Sequence, residues 1–449
     1  RMTCIEGENL FASHLNEQRE TPVEDRVPMP GESFLQTLPL PLCRAADEAL
    51  QSAVSGDKVY LPGPSGNDEE AVFPPKLSHI VEMLRIETER AAYLDTPIAE
   101  RIPSNYCGHL GTLKNQIQAW FASKSEWSPT ALEALARNRY IFLLEQVFGL
   151  DEQRAPDDMP DPMGRGTLIH SMLKEIYASI ADGECGVELP RRWAIKGDDG
   201  WRIRGEAGAD AIPLAVFAPE YADACIDFAR TAANRRLDQG QLGHPGIWSA
   251  EREKILEMVL NFVRFDIETC AGENRFPALF EYAFREESAI DLGVVKVRGK
   301  IDRIDLIFTE TGELSKVRVL DYKGSSRSRN KATDYIDEIH RNLDCQLPVY
   351  AMAAQQLFFG EYNTDAVNRM TEAGYLFYER DRSKIAGALK KSLIAMDEPA
   401  LTDVFLETLS ANIALLKEGD FAVDPLIASY NDYVSICRTE AVDREELED

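Results

Sequence analysis

The spacing of apolar residues divides the chain into a mostly helical front and a later stretch where helices and strands alternate. In LSHIVEMLRIETERAAYLD (77–95), apolar residues at 80, 81, 84 and 86 predict a helix, and GTLKNQIQAWFASK (111–124) predicts another. YLPGPSGNDEEAVFPPK (60–76) is a cluster of turn formers and reads as a loop. A new section opens at SPTALEALARNRYIFLLEQVFGL (128–150). There Ser128 or Thr130 can cap a helix, and Glu133 stands three residues after Thr130, the spacing of a capping box. DEQRAPDDMPDPMGR (151–165) reads as a turn-rich linker. GTLIHSMLKEIYASIADG (166–183) gathers Ile169, Met172, Leu173 and Ile176 into one helical stripe and leaves through Gly183. Residues 244–273 predict one long helix, entered through Pro245 and left through Gly272.

The period then changes from helix to strand. GVVKVRGKIDRIDLIFTETGELSKVRVLDYK (293–323) predicts two strands around TETGE. In the first, Val295, Val297 and Ile301 face one way, and Lys296, Arg298, Lys300 and Asp302 the other. In the second, Val317, Val319, Asp321 and Lys323 share a face. A helix is predicted at 346–360, a strand in EAGYLFYERD, and a final amphipathic helix in ALTDVFLETLSANIALLKEGDF, followed by an acidic tail. The pattern is that of an α+β protein, helices packed around a small mixed sheet.

Composition narrows the picture. The chain has 449 residues, 44% of them hydrophobic, enough for a substantial core. Its formal net charge of −27 repels polyanions over most of the surface, which argues against a general nucleic-acid coat protein but leaves room for a local basic groove. The eight cysteines form no Cys-x-x-Cys pair, a usage that suits a reducing compartment and predicts a cytoplasmic location. No apolar run approaches the roughly 18 residues needed to span a bilayer, so no membrane association is expected. GPSGNDEE lacks the lysine and hydroxyl of a Walker A loop, so no ATP hydrolysis is expected.

The chemistry gathers in the strand pair. If its strands are hairpin neighbours, Asp302 comes within reach of Asp321, and Lys323, two residues on, points to the same side. Two carboxylates offer the hard oxygen ligands that Mg²⁺ prefers, and a lysine offers positive charge for a developing oxyanion. Either half alone has a plainer reading, the wet side of a sheet or a solvated turn. Asp305 falls on the opposite face from Asp302 and is a candidate for a structural ion pair with Arg303. Arg327, Arg329 and Lys331, in the polar loop after Lys323, are candidate phosphate contacts, or simply a basic surface loop.

GTLIH, GKIDRID, LDYK and QLPVY, in that order, resemble the RecB-type branch of the PD-(D/E)XK nucleases, most nearly the C-terminal nuclease domains of AddB-like helicase–nuclease subunits. The resemblance covers about residues 126 to 440. It implies a restriction-endonuclease-like core over 126–449, with 1–125 left as a mainly helical accessory or helicase-remnant region. It also implies an activity: Mg²⁺- or Mn²⁺-dependent hydrolysis of DNA, as an exonuclease on single strands or ends, in repair or recombination, with a helicase subunit as a possible partner. Residue by residue, it implies that Asp302, Asp321 and His170 are metal ligands, with the Tyr322 carbonyl as a further one. Lys323 would activate water, Gln346 and Tyr350 would line the site and meet DNA, and Glu281 of PALFEYAF would match an upstream glutamate. His170 has the plainer alternative of a packed core histidine. Many relatives carry an iron–sulfur cluster on four cysteines. Here the corresponding positions read Asn138, Ala428, Asn431 and Cys437, so no cluster is expected. The two segments are expected to pack through Tyr140, Phe142, Tyr430 and Tyr433 instead. A function of another class also fits: a catalytically silent nucleic-acid-binding or scaffold subunit of a helicase–nuclease complex. The intact Asp302, Asp321 and Lys323 argue against it.

Overall fold

Runs such as KIDRIDLIF and VRVLDYK, apolar on both faces at once, belong in the middle of a sheet covered on two sides. A computed structural model of the protein describes residues 104–150, 162–240, 242, 244–324, 329, 331–380 and 382–422, with scattered positions between 60 and 101. The chain divides into two compact units, residues 1–107 with 433–449, and residues 108–432. In the first, β1 (Tyr60–Pro62) pairs antiparallel with β2 (Asp68–Glu70). Everything below concerns the second.

Its front carries α1 (Lys114–Ser123), α2 (Pro129–Arg137) and α3 (Arg139–Phe142), the last running into a π-turn at Leu143–Val147. Ser128 caps α2 as expected, by accepting from the Ala131 N–H. α2 ends at Asn138, whose side chain accepts from the Tyr140 and Ile141 N–H groups and so starts a new helix. Glu133 is drawn away from the cap: its carboxylate accepts from the Cys345 N–H.

Next come α4 (Pro162–Asp182), β3 (Arg192–Gly197), β4 (Gly200–Arg204), β5 (Ile212–Leu214), α5 (Ala222–Gln239) and α6 (Pro245–Glu273). α4 begins at Pro162, inside the expected linker, and Gly183 follows it with φ +70°. α6 runs one residue past Gly272, to Glu273, and is capped by Asn274 in the left-handed region. β6 (Arg275–Phe284), β7 (Ile290–Asp291), β8 (Lys296–Val297), β9 (Gly299–Phe308) and β10 (Leu314–Lys323) follow. Then come α7 (Ala332–His340), α8 (Gln346–Phe359), α9 (Asp365–Arg369), β11 (Thr371–Phe377), α10 (Arg382–Ser392), β12 (Ile394–Ala395) and α11 (Leu401–Glu418).

Among the described residues the main sheet has five strands in the order β12-β11-β10-β9-β6, with β10 and β11 parallel and the other pairs antiparallel. One face, with Val317, Val319, Tyr375 and Phe377, packs with α2, α8 and α11; the other, with Leu320, Tyr322 and Leu376, packs with α4, α5 and α6. This is a mixed sheet flanked by helices, the α+β, restriction-endonuclease-like arrangement. A second sheet, β4-β3-β5, and the short β7-β8 pair lie beside it.

The helical stripe of α4 is fully buried: Ile169, Met172, Leu173 and Ile176 all have 0% exposure. Asp305 is equally buried, on the opposite side of β9 from Asp302, and it does pair with Arg303 at 2.6 Å. Arg275 joins it at 2.6 Å, and Asp266 of α6 meets both Arg303 and the Tyr177 hydroxyl. A one-residue slip of β9 would push this network into the other layer, so the charges fix the register. The front and rear of the unit are stapled by backbone. Leu110 N–H donates to Gly419 C=O at 2.7 Å, and Phe421 N–H to Gly108 C=O at 2.8 Å. Phe142 is fully buried against Trp127, whereas Tyr430, Tyr433 and Cys437 lie outside the described residues.

Candidate active site

Register sets the site. Leu320 pairs with Arg303 and Val319 with Ile304, so the next step along β9 and β10 sets Asp302 opposite Asp321. Phe280 pairs with Arg303 and Tyr282 with Ile301, which sets Glu281 opposite Asp302, and Asp321 pairs with Tyr375. Glu281, Asp302, Asp321 and Tyr375 therefore form one row across four strands. Glu281 holds a left-handed backbone, φ +54°, within a strand, a conformation that costs a non-glycine residue about 1–3 kcal/mol and persists only where the surroundings impose it.

His170 reaches this row from α4. Its ring stands edge-on to Tyr322 and Tyr378, with centroids 5.5 and 6.2 Å away. Its Nδ1 lies 3.4 Å from Asp302 Oδ1. The other Asp302 oxygen accepts from the Tyr322 N–H at 2.9 Å. In extended backbone the N–H and C=O of one residue leave on the same side, so the Tyr322 carbonyl also faces β9. Donor atoms of His170, Glu281 and Asp302 all lie within 4.8 Å of one another. Asp321 stands beside this trio rather than in it. Its carboxylate, almost fully buried, meets Lys323 Nζ at 2.7 Å, and that ammonium lies 5.7 Å from the Tyr375 ring centre. Lys300 forms an ion pair with Glu281.

The electrostatics follow from this crowding. Burial pushes the Asp321 carboxyl up to about 6, and repulsion from Asp302 adds to it against the pull of Lys323. Burial works to lower Lys323, but the Asp321 and Asp302 carboxylates outweigh it and hold the ammonium protonated. Burial likewise works to lower His170, and Asp302, with Asp321 and Glu281 behind it, raises it above its ordinary value. Tyr350 is raised, first by burial and then by the Asp321 and Asp302 charges, which places its phenol in the same field.

Gln346 and Tyr350 occupy the first turns of α8, Gln346 half-buried and Tyr350 buried with its ring edge-on to Phe284 at 5.9 Å. Glu133 and Asp344 anchor that end by accepting from the Cys345 and Leu347 N–H groups. Of the basic loop, Arg327 lies outside the described residues. Arg329, a candidate phosphate contact, has its guanidinium paired with Glu338 of α7 at 2.6 Å. Lys331 is exposed at the start of α7. Lys300 was legible only as the wet side of β9; its place two residues before Asp302, on the same face, was the available signal.

An imidazole and carboxylates from two strands, with a third carboxylate adjacent, are a donor set that fits a divalent cation. Clustered carboxylates that can hold a divalent ion, with lysines beside them, are suited to cleaving a phosphodiester. The sequence pattern of the PD-(D/E)XK nuclease superfamily matches residues 126–438, and the chain belongs to that superfamily. Its members are nucleases, phosphodiester hydrolases that use divalent metal ions. No curated protein matches the chain. Among the described residues, no helix is long and apolar enough to cross a membrane.

Proposed function

We propose that this chain is a Mg²⁺- or Mn²⁺-dependent deoxyribonuclease of the RecB-type branch, similar to the nuclease domain of AddB-like subunits. It acts on single strands or DNA ends, in cytoplasmic repair or recombination, with a helicase subunit as a fitting partner and residues 126–449 as its nuclease domain. The observation that carries this reading is the row of Glu281, Asp302 and Asp321, with Lys323 at its end and His170 over it.

A divalent ion bound there supplies positive charge at the scissile phosphate. His170, Glu281 and Asp302 would hold it, with Asp321 and the Tyr322 carbonyl alongside. Lys323, protonated and pinned by Asp321, orients the attacking water and stabilises charge as it develops on the phosphoryl oxygens. Gln346 and Tyr350 line the wall along which DNA approaches, and Lys331 offers charge for its backbone, with Arg327 and Arg329 as further contacts if the Arg329–Glu338 pair opens.

The test is end-labelled single- and double-stranded DNA incubated with the purified chain in Mg²⁺, Mn²⁺ or EDTA. Cleavage in either metal, absent in EDTA and in Asp321→Ala and Asp302→Ala, is expected. DNA bound but uncut in both metals overturns the enzyme reading in favour of a silent binding subunit.

A further inference from the structure

Two lysines flank the acidic row, and their environments differ. Lys323 is 25% exposed and paired with a carboxylate 4% exposed, a fixed pair. Lys300 is 57% exposed, and its partner Glu281 only 12%. Lys300 stands two residues from Asp302 on the same face of β9, diagonal to Glu281 across the β6–β9 ladder. Its side chain, more than half in solvent, reaches Glu281 from the open side of the pair. Glu281 is less free. Its left-handed backbone aims it at His170 and Asp302, whose donor atoms lie within 4.8 Å of its own.

The Glu281 carboxylate thus serves two claimants, the Lys300 ammonium and any cation held with His170 and Asp302. Resting on the nuclease reading above, we infer that Lys300 is an exchangeable counter-ion: it holds Glu281 while the trio is without a divalent ion and releases it when one binds, which frees the ammonium for a nucleic-acid phosphate at the mouth of the site. The energetics favour exchange. A lysine more than half in water is rehydrated on release, so the ammonium loses little when the pair opens. A divalent ion gains two carboxylates and an imidazole at once. A flexible, strongly hydrated ammonium suits such a move, whereas a guanidinium fork would hold the carboxylate more firmly. By linkage, metal and DNA then strengthen one another's binding through Lys300.

The experiment compares wild type, Lys300→Gln, Lys300→Arg and Lys316→Gln. The last removes a lysine paired with Glu372, an acid outside the trio, and controls for net charge. Mn²⁺ binding is read from the free-ion EPR signal, and DNA binding from a fluorescent single strand with and without Ca²⁺. Lys300→Gln is expected to bind Mn²⁺ about two- to fivefold more tightly than wild type. It is also expected to lose most of the gain in DNA affinity that Ca²⁺ brings. Lys300→Arg is expected to bind Mn²⁺ no more tightly than wild type, and Lys316→Gln to match it. Wild-type Mn²⁺ affinity in Lys300→Gln, or an equal rise in Lys316→Gln, overturns the inference and leaves the nuclease reading standing. A wild-type chain that neither binds Mn²⁺ nor cuts DNA overturns both.

Discussion

Asp302 and Asp305 stand three residues apart on one strand and do opposite work. Asp302 faces the open row, while Asp305 is sealed behind it with Arg303 and Arg275. Removing Asp305 leaves two buried guanidinium groups short of a partner. Asp305→Ala is therefore expected to cost about 3–5 kcal/mol of stability, measured by urea unfolding. The same residue gives a pH dependence. Burial alone would raise its pKa, but Arg303 and Arg275 overcome burial and hold it below its ordinary value. The unfolded chain then takes up the proton first as pH falls. The stability this pair contributes is complete above about pH 4, near the unfolded value, and is lost as pH drops through the lower folded value. Unfolding measured from pH 5 downward is expected to show a shallower acid loss in Asp305→Asn than in wild type. At the site, Lys323→Ala is expected to reduce cleavage roughly 100-fold or more when assayed well below its melting temperature, which falls because Asp321 loses its partner. Activity within a few-fold of wild type would remove Lys323 from the chemistry.

At the scale of elements, legibility depended on whether neighbours obeyed a period. β9 and β10 were readable because β-branched residues recur through both and TETGE marks their turn, and that pair alone set Asp302 opposite Asp321. β6 was hidden because Pro277 and a register shift beside Ala278 interrupt it, and Glu281 itself leaves extended backbone. Glu281 was therefore reachable through family resemblance and not through periodicity. The β3–β4 hairpin did carry a signal, a two-residue Asp198–Asp199 turn between Gly197 and Gly200, flanked by Trp193, Ile195, Trp201 and Ile203. α5 buries mostly alanine and cysteine, too weak a stripe to stand out. The sequence reading left open where the helix capped by Ser128 ends; one side chain, Asn138, ends it and starts the next. Asn138→Ala is expected to lower stability by about 1 kcal/mol and Asn138→Asp to preserve it, both by thermal unfolding.

At the scale of the molecule, the backbone at 108–110 is bonded to that at 419–421. Gly108 has φ +92°, and a β-carbon there would run into the Phe421 carbonyl. Arg139 and His109 both meet Asp420 beside it. Gly108→Ala is expected to lower the melting temperature by several degrees while leaving cleavage at low temperature intact, because the staple lies among elements that carry no residue of the acidic row. The most direct measurement is anomalous diffraction from a crystal soaked in Mn²⁺. A peak enclosed by His170, Glu281 and Asp302, with Asp321 beside it, is the predicted result. A fully soaked crystal with Mn²⁺ bound elsewhere and none at this trio would contradict the account.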